Sequence, residues 1–110
     1  MNLEQKIVIF ITSNSENEAE SIARTLVEEG LAACCNIINP VTSIYRWKGE
    51  IHRDQEVLMI IKTMGNKFKE VQSRVKELHS YEVPEIIALP IVDGLPAYLQ
   101  WIEEETERRQ

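Results

Sequence analysis

Few groups in this 110-residue chain are suited to chemistry, and most of them sit in two places. Two thiols stand side by side, Cys34 and Cys35, and the imidazoles are His52 and His79. Thiolate and imidazole are soft and borderline metal ligands, but a closed zinc site takes about four well-placed donors. No Cys-x-x-Cys or His-x-x-x-His spacing supplies them. The competing reading makes one cysteine a small core residue and places the other under a neighbouring element. Neighbouring strand residues point to opposite faces, so a bridge between Cys34 and Cys35 would distort the strand. Reduced thiols in a cytoplasmic protein are the simplest expectation.

The second place is His79-Ser80-Tyr81-Glu82-Val83-Pro84-Glu85, a polar run leaving a helix. One reading is a helix C-cap, with His79 near the negative end of the dipole and Tyr81 half-buried. The other is a pocket at a subunit boundary that offers imidazole, phenol and carboxylate together, since loops on rigid scaffolds are where function concentrates. Glu56 and Lys62 share one strand face, about 20 Å apart, so each pairs elsewhere or with a neighbouring chain. Tyr45 and Trp47 near a hairpin tip would be an exposed aromatic patch in a monomer, and such patches mark interfaces. No nucleophile has a Ser-His-Asp or Cys-His partner at a recognisable spacing, and no glycine-rich phosphate loop is present, so the chain does not read as an enzyme.

Composition narrows the partners. Twelve basic against eighteen acidic residues give a net charge of −6. Arg108-Arg109 is the one adjacent basic pair, which leaves no stripe suited to a nucleic-acid backbone. No apolar run approaches the roughly 20 residues of a membrane helix, and the first residues lack the order of a signal peptide. Residues 1–110 read as one domain with one core.

The elements that must position these groups follow from periodicity. Ile7 to Ile11 is an apolar β run covered on both faces. Ser15 and Glu18 fit a capping box, followed by the stripe Ala19, Ile22, Ala23, Leu26, Val27 and a stop at Gly30. Leu31–Lys48 and Ile51–Thr63 read as two β arms around Gly49, at full extension about 60 and 43 Å long. A domain of this size is only about 35 Å across, so the hairpin points to an oligomer. Pro40 predicts a bend, bulge or edge position. A second helix carries Phe68, Val71, Val75 and Leu78 and closes at His79. Ile86–Val92 is a fourth β segment, and Leu95, Tyr98, Leu99 and Ile102 stripe a C-terminal helix. The order β-α-β-β-α-β is that of ferredoxin-like α+β domains, here with a long protruding hairpin and an extra helix. Helices cover one sheet face. Val8 and Phe10 on the other need a second surface, and another subunit is its natural supplier.

Several segments together resemble the CutA family, linked to divalent-cation tolerance. They are Leu31-Ala32-Ala33-Cys34 with Asn36-Ile37-Ile38, Thr42 to Gly49, Glu56-Val57 with Ile61-Lys62-Thr63, His79 with Tyr81 to Glu85, and Tyr98-Leu99 with Trp101-Ile102. The resemblance runs from about Ile7 to Glu105. It implies a cytoplasmic homotrimer similar in architecture to the PII signalling proteins, associated with copper and other divalent ions, with no obligatory cofactor and no established reaction. It implies His79 and Cys34 as metal candidates and Tyr81, Glu82 and Glu85 as pocket candidates. Tyr45, Trp47, Glu56, Lys62 and Trp101 are the interface candidates. Ile11 stands where some relatives place a copper-ligand cysteine, and Leu78 where some carry a histidine, so only His79 of that set remains. Cys34 matches a family cysteine; Cys35 departs from the pattern. The competing reading is a PII-like module binding a small ligand or a protein partner, with metal incidental.

Overall fold

The computed structural model describes residues 2–107. Its elements are β1 (Lys6–Ser13), α1 (Glu16–Glu28), β2 (Cys34–Trp47), β3 (Glu50–Met64), a short 3-10 turn (Gly65–Lys67), α2 (Phe68–Leu78), β4 (Ile86–Pro90) and α3 (Pro96–Glu107). The strands form one antiparallel sheet in the order β2-β3-β1-β4. This is the ferredoxin-like β-α-β-β-α-β arrangement with an added C-terminal helix.

Alternation sorts the sheet into two unlike faces. Ile7, Ile9 and Ile11 of β1 and Val57, Met59 and Ile61 of β3 are buried under α1 and α2. The helices contribute Ala19, Ile22, Ala23 and Leu26, then Val71 and Val75. Val27, the last residue of the expected α1 stripe, is 43% exposed instead, because it lies at the edge of the covered face. The opposite face carries Val8 and Phe10 paired with Lys62 and Ile60. Ile38 on β2 and Ile87 and Leu89 on β4 extend it. Within one chain α3 covers only one end of this face, where Ile102 packs with Ala33 and Met64 and Lys6 pairs with Glu103 at 3.2 Å. The remaining apolar surface is open, with Ile38, Ile87 and Leu89 each 45–50% exposed.

Local chemistry accounts for the element ends. Ser15 Oγ accepts the Glu18 backbone N–H at 3.2 Å, so Ser15 is the N-cap of α1. At the other end Gly30 takes φ of +74°, and the N–H groups of Leu31 and Ala32 both donate to the Leu26 carbonyl. That closure uses the first residues of the expected β arm, so β2 begins at Cys34 rather than Leu31. The arm is 14 residues, about 46 Å at full extension. The molecule measures 43 Å along its longest axis. The hairpin therefore matches the long axis of the chain rather than exceeding it. Beyond the pair Ser13↔Val57 it has no other strand beside it, and its last seven pairs, Val41↔Glu56 to Trp47↔Glu50, form a two-stranded ribbon. Lys48 and Gly49 both have positive φ, as a tight two-residue turn requires. β4 also ends early, at Pro90, and Leu95 of the expected α3 stripe is 71% exposed.

Candidate functional site

The segment after α2 has no regular secondary structure, and side-chain hydrogen bonds hold it in place. His79 ends α2, its backbone N–H donating to the Val75 carbonyl at 2.8 Å. The residue is 9% exposed. Its Nε2 lies 2.6 Å from the Thr12 carbonyl oxygen, which can only accept, so Nε2 carries the proton. Nδ1 must then accept, and it receives the Tyr81 backbone N–H at 3.0 Å. Both ring nitrogens of a neutral imidazole are thereby engaged.

Glu18 holds the next residue. Its carboxylate accepts the Ser13 hydroxyl at 2.7 Å, the Ser80 N–H at 2.6 Å and the Ser80 hydroxyl at 3.1 Å. Burial pushes this carboxyl up, but the hydrogen bonds from Ser13 and Ser80 outweigh that and hold it below the usual range. Only half of the expected capping box forms. Ser15 caps the helix, while the Glu18 side chain turns away to tie β1 and the loop together.

Tyr81 completes the set. Its hydroxyl donates to Glu56 Oε2 at 2.7 Å, and its ring packs on His79 with centroids 4.7 Å apart. Burial first, then the Glu56 hydrogen bond and charge, push the phenol well above its ordinary range. Tyr81 forms one wall of an open groove of about 290 Å³ lined also by Tyr45, Trp47, Glu82 and Val83. An adjoining recess of about 370 Å³ adds Thr12, Ser43, Ile44, Glu56 and Glu85. Across from Tyr81, Tyr45 donates its hydroxyl to Asp54, and His52 stacks on its ring at 5.3 Å. Hydrogen bonding to Asp54, then burial, raise the Tyr45 phenol.

A bulge places Tyr45 and Trp47 here. Ile38 pairs with Leu58, but Val41 pairs with Glu56, so β2 holds one extra residue around Asn39-Pro40. Before the bulge the even-numbered residues Cys34, Asn36 and Ile38 share the open face. After it the odd-numbered Ser43, Tyr45 and Trp47 do, paired with Asp54, His52 and Glu50. Without that shift both aromatics would point to the other side.

The structure brings together Tyr45, Trp47, Glu56, Tyr81, Glu82 and Glu85, which the sequence had divided between an interface set and a pocket set. It separates the two metal candidates. Cys34 pairs with Lys62, whereas the His79 ring hangs on Thr12, opposite Leu58. Four residues along β3 is about 13 Å, and Cys34 lies two strands from β1. A metal at His79 would also have to displace one of its two hydrogen bonds. Among the described residues no group of three or more His, Cys, Asp or Glu is placed to hold a metal ion. One chain therefore does not build the metal site that His79 and Cys34 suggested.

Lys62 donates to Asn36 beside Cys34. Cys35 faces the helices, as alternation required, and burial, then Cys34, push its thiol up to about 12 against the pull of Lys62. Trp101 lies on α3 against Tyr98, ring centroids 5.4 Å apart, and is 37% exposed. Sequence reasoning missed Glu18, Ser13 and Asp54. Glu18 reads as a capping residue, and nothing in the spacing links it to Ser80, 62 positions away.

The sequence and the fold match known proteins. Residues 7–105 match the CutA1 divalent ion tolerance protein family. The chain is 54% identical over 99 residues to the divalent-cation tolerance protein CutA of Thermus thermophilus, covering 90% of this chain and 96% of that one. It is 49% identical over 98 residues to protein CutA of Mus musculus, covering 89% of this chain and 55% of the mouse protein. The solved structure of the Thermus thermophilus protein superposes with a TM-score of 0.90 at 52% identity, over 92% of this chain and 98% of that one. The periplasmic divalent cation tolerance protein CutA of Archaeoglobus fulgidus gives 0.89 at 46% identity, over 92% and 98%. The chain belongs to the CutA family of divalent-cation tolerance proteins. No helix among its described residues is long and apolar enough to cross a membrane.

Proposed function

We propose that this chain acts in divalent-cation tolerance as a homotrimer, with copper or another divalent ion taken at a boundary between copies. The observation that carries the assembly is the open sheet face. Val8, Phe10, Leu58 and Ile60 occupy the centre of a sheet that α1 and α2 cover on one side only. Ile38, Ile87 and Leu89 continue the patch at its flanks. Apolar surface of this kind is stabilised by being removed from water, at about 25 cal/mol per Å². Cys34 shares that face and is the thiol donor a boundary site would use, since its neighbour Cys35 points into the core. Both cysteines are free, which fits a reducing compartment such as the cytoplasm.

Light scattering tests the assembly: the expected mass is that of three chains, and Ile60→Asp, which sets a charge in the middle of the open face, should lower it. A folded monomer at micromolar concentration would overturn the trimer. Titration with Cu(I), Cu(II) and Zn(II) tests the metal. Uptake that Cys34→Ser abolishes is expected, and uptake left unchanged by both Cys34→Ser and His79→Ala would remove these residues from the site.

A second reading, a PII-like module that binds a small ligand or a protein partner, is supported by the aromatic groove. Its volume is that of a small-molecule site.

A further inference from the structure

The polar groups that line the groove are nearly all acceptors. Glu56, Glu82 and Glu85 are carboxylates. The two phenols lining it have already committed their protons, Tyr45 to Asp54 and Tyr81 to Glu56, so their oxygens present lone pairs. Thr12 and Ser43 carry hydroxyls that can serve either way. Among the described residues no lysine or arginine lines either part, and none of these carboxylates is in an ion pair. The rest of the surface is aromatic. Trp47, Tyr45 and Tyr81 offer ring faces, whose negative quadrupole attracts cations. The chain itself shows the attraction, with the Lys48 ammonium 5.8 Å from the Trp47 ring centroid.

An acceptor lining, negative charge left unpaired within the chain and aromatic walls call for a guest that is positively charged, donor-rich and partly apolar. A bare metal ion is not that guest, because the carboxylates do not converge as a metal-binding group. We propose that the groove binds a small organic cation, a guanidinium or alkylammonium compound. This rests on the small-ligand reading given above for the location of the site, and it names the class of ligand.

Calorimetry and Trp47 emission test it, in a Trp101→Phe background so that one indole reports, with EDTA present throughout. The probes are agmatine, choline, and 3,3-dimethylbutan-1-ol, the neutral isostere of choline. Saturable binding of agmatine or choline is expected, with the neutral isostere at least about tenfold weaker. Replacing both Glu82→Gln and Glu85→Gln, which are exposed, should weaken the cations about fivefold and the isostere little. Equal response to choline and its isostere, or no response to either cation, would overturn the proposal. Light scattering on the same samples separates the readings. A trimer that ignores all three probes keeps the assembly and loses this ligand class, whereas a monomer that binds choline does the reverse.

Discussion

The two faces of the one sheet carry similar residues and have opposite fates. Ile9 and Phe10 are adjacent on β1, yet Ile9 is fully buried beneath the helices while Phe10 is half-buried on the face that one chain leaves open. Hydrophobicity by itself does not separate them. What differs is the supply of cover: α1 and α2 return over one side, and α3 reaches only the end of the other. The comparison teaches that the core of this protein is finished within the chain on one side and left for association on the other.

The largest effect should come from Ile9→Ala. It removes three carbons from a fully buried site and is expected to cost about 2–5 kcal/mol in chemical denaturation, independent of protein concentration. Phe10→Ala sharpens the contrast. Its cost should depend on concentration, appearing as a lower melting temperature on dilution, because it weakens association rather than the single-chain core. A concentration-independent loss equal to that of Ile9→Ala would break the comparison. Next is Glu18→Ala, which leaves Ser13 and Ser80 without their shared acceptor and should cost about 1–3 kcal/mol. The Glu18 carboxyl is lowered in the folded chain, so its contribution is fully present above the ordinary carboxylate range, near pH 4. It disappears as pH falls through the lowered value, and the gap between wild type and Glu18→Ala should close there in acid titrations of stability. Ser15→Ala is the smallest, about 1 kcal/mol, by loss of the α1 N-cap.

Most of the fold was legible. The apolar run of β1, the Ser15 cap, the α1 stripe and the Gly30 stop are local signals, each written within a short stretch of sequence. The His79 C-cap and a tight turn around Gly49 are legible for the same reason, although the first arm ends at Trp47 and Lys48 belongs to the turn. The candidate site was legible in its parts and not in its assembly. Tyr81 and Glu56 are separated by 25 positions, and Ser80 and Glu18 by 62, so no periodicity connects them. The length of the first arm was overread because Leu31 and Ala32 look like strand residues but bond back to the end of α1.

His79 shows where residue type misleads. The family resemblance made this imidazole a metal candidate, yet within the chain the ring is buried and hydrogen-bonded at both nitrogens. Its observed work is to carry the position of Tyr81 into the groove.

The sequence by itself determined the order of elements, the alternation that makes both faces of the sheet apolar, and membership of the CutA family. These depend on local periodicity and on residue identity, which a linear chain displays. Only the tertiary structure decided that one extra residue at Asn39-Pro40 turns Tyr45 and Trp47 onto the open face. It alone brought them to Tyr81, Glu82 and Glu85 in one groove, and set Cys34 and His79 apart. The reason is physical: side-chain direction in a strand has period two, so a single inserted residue reverses every position after it.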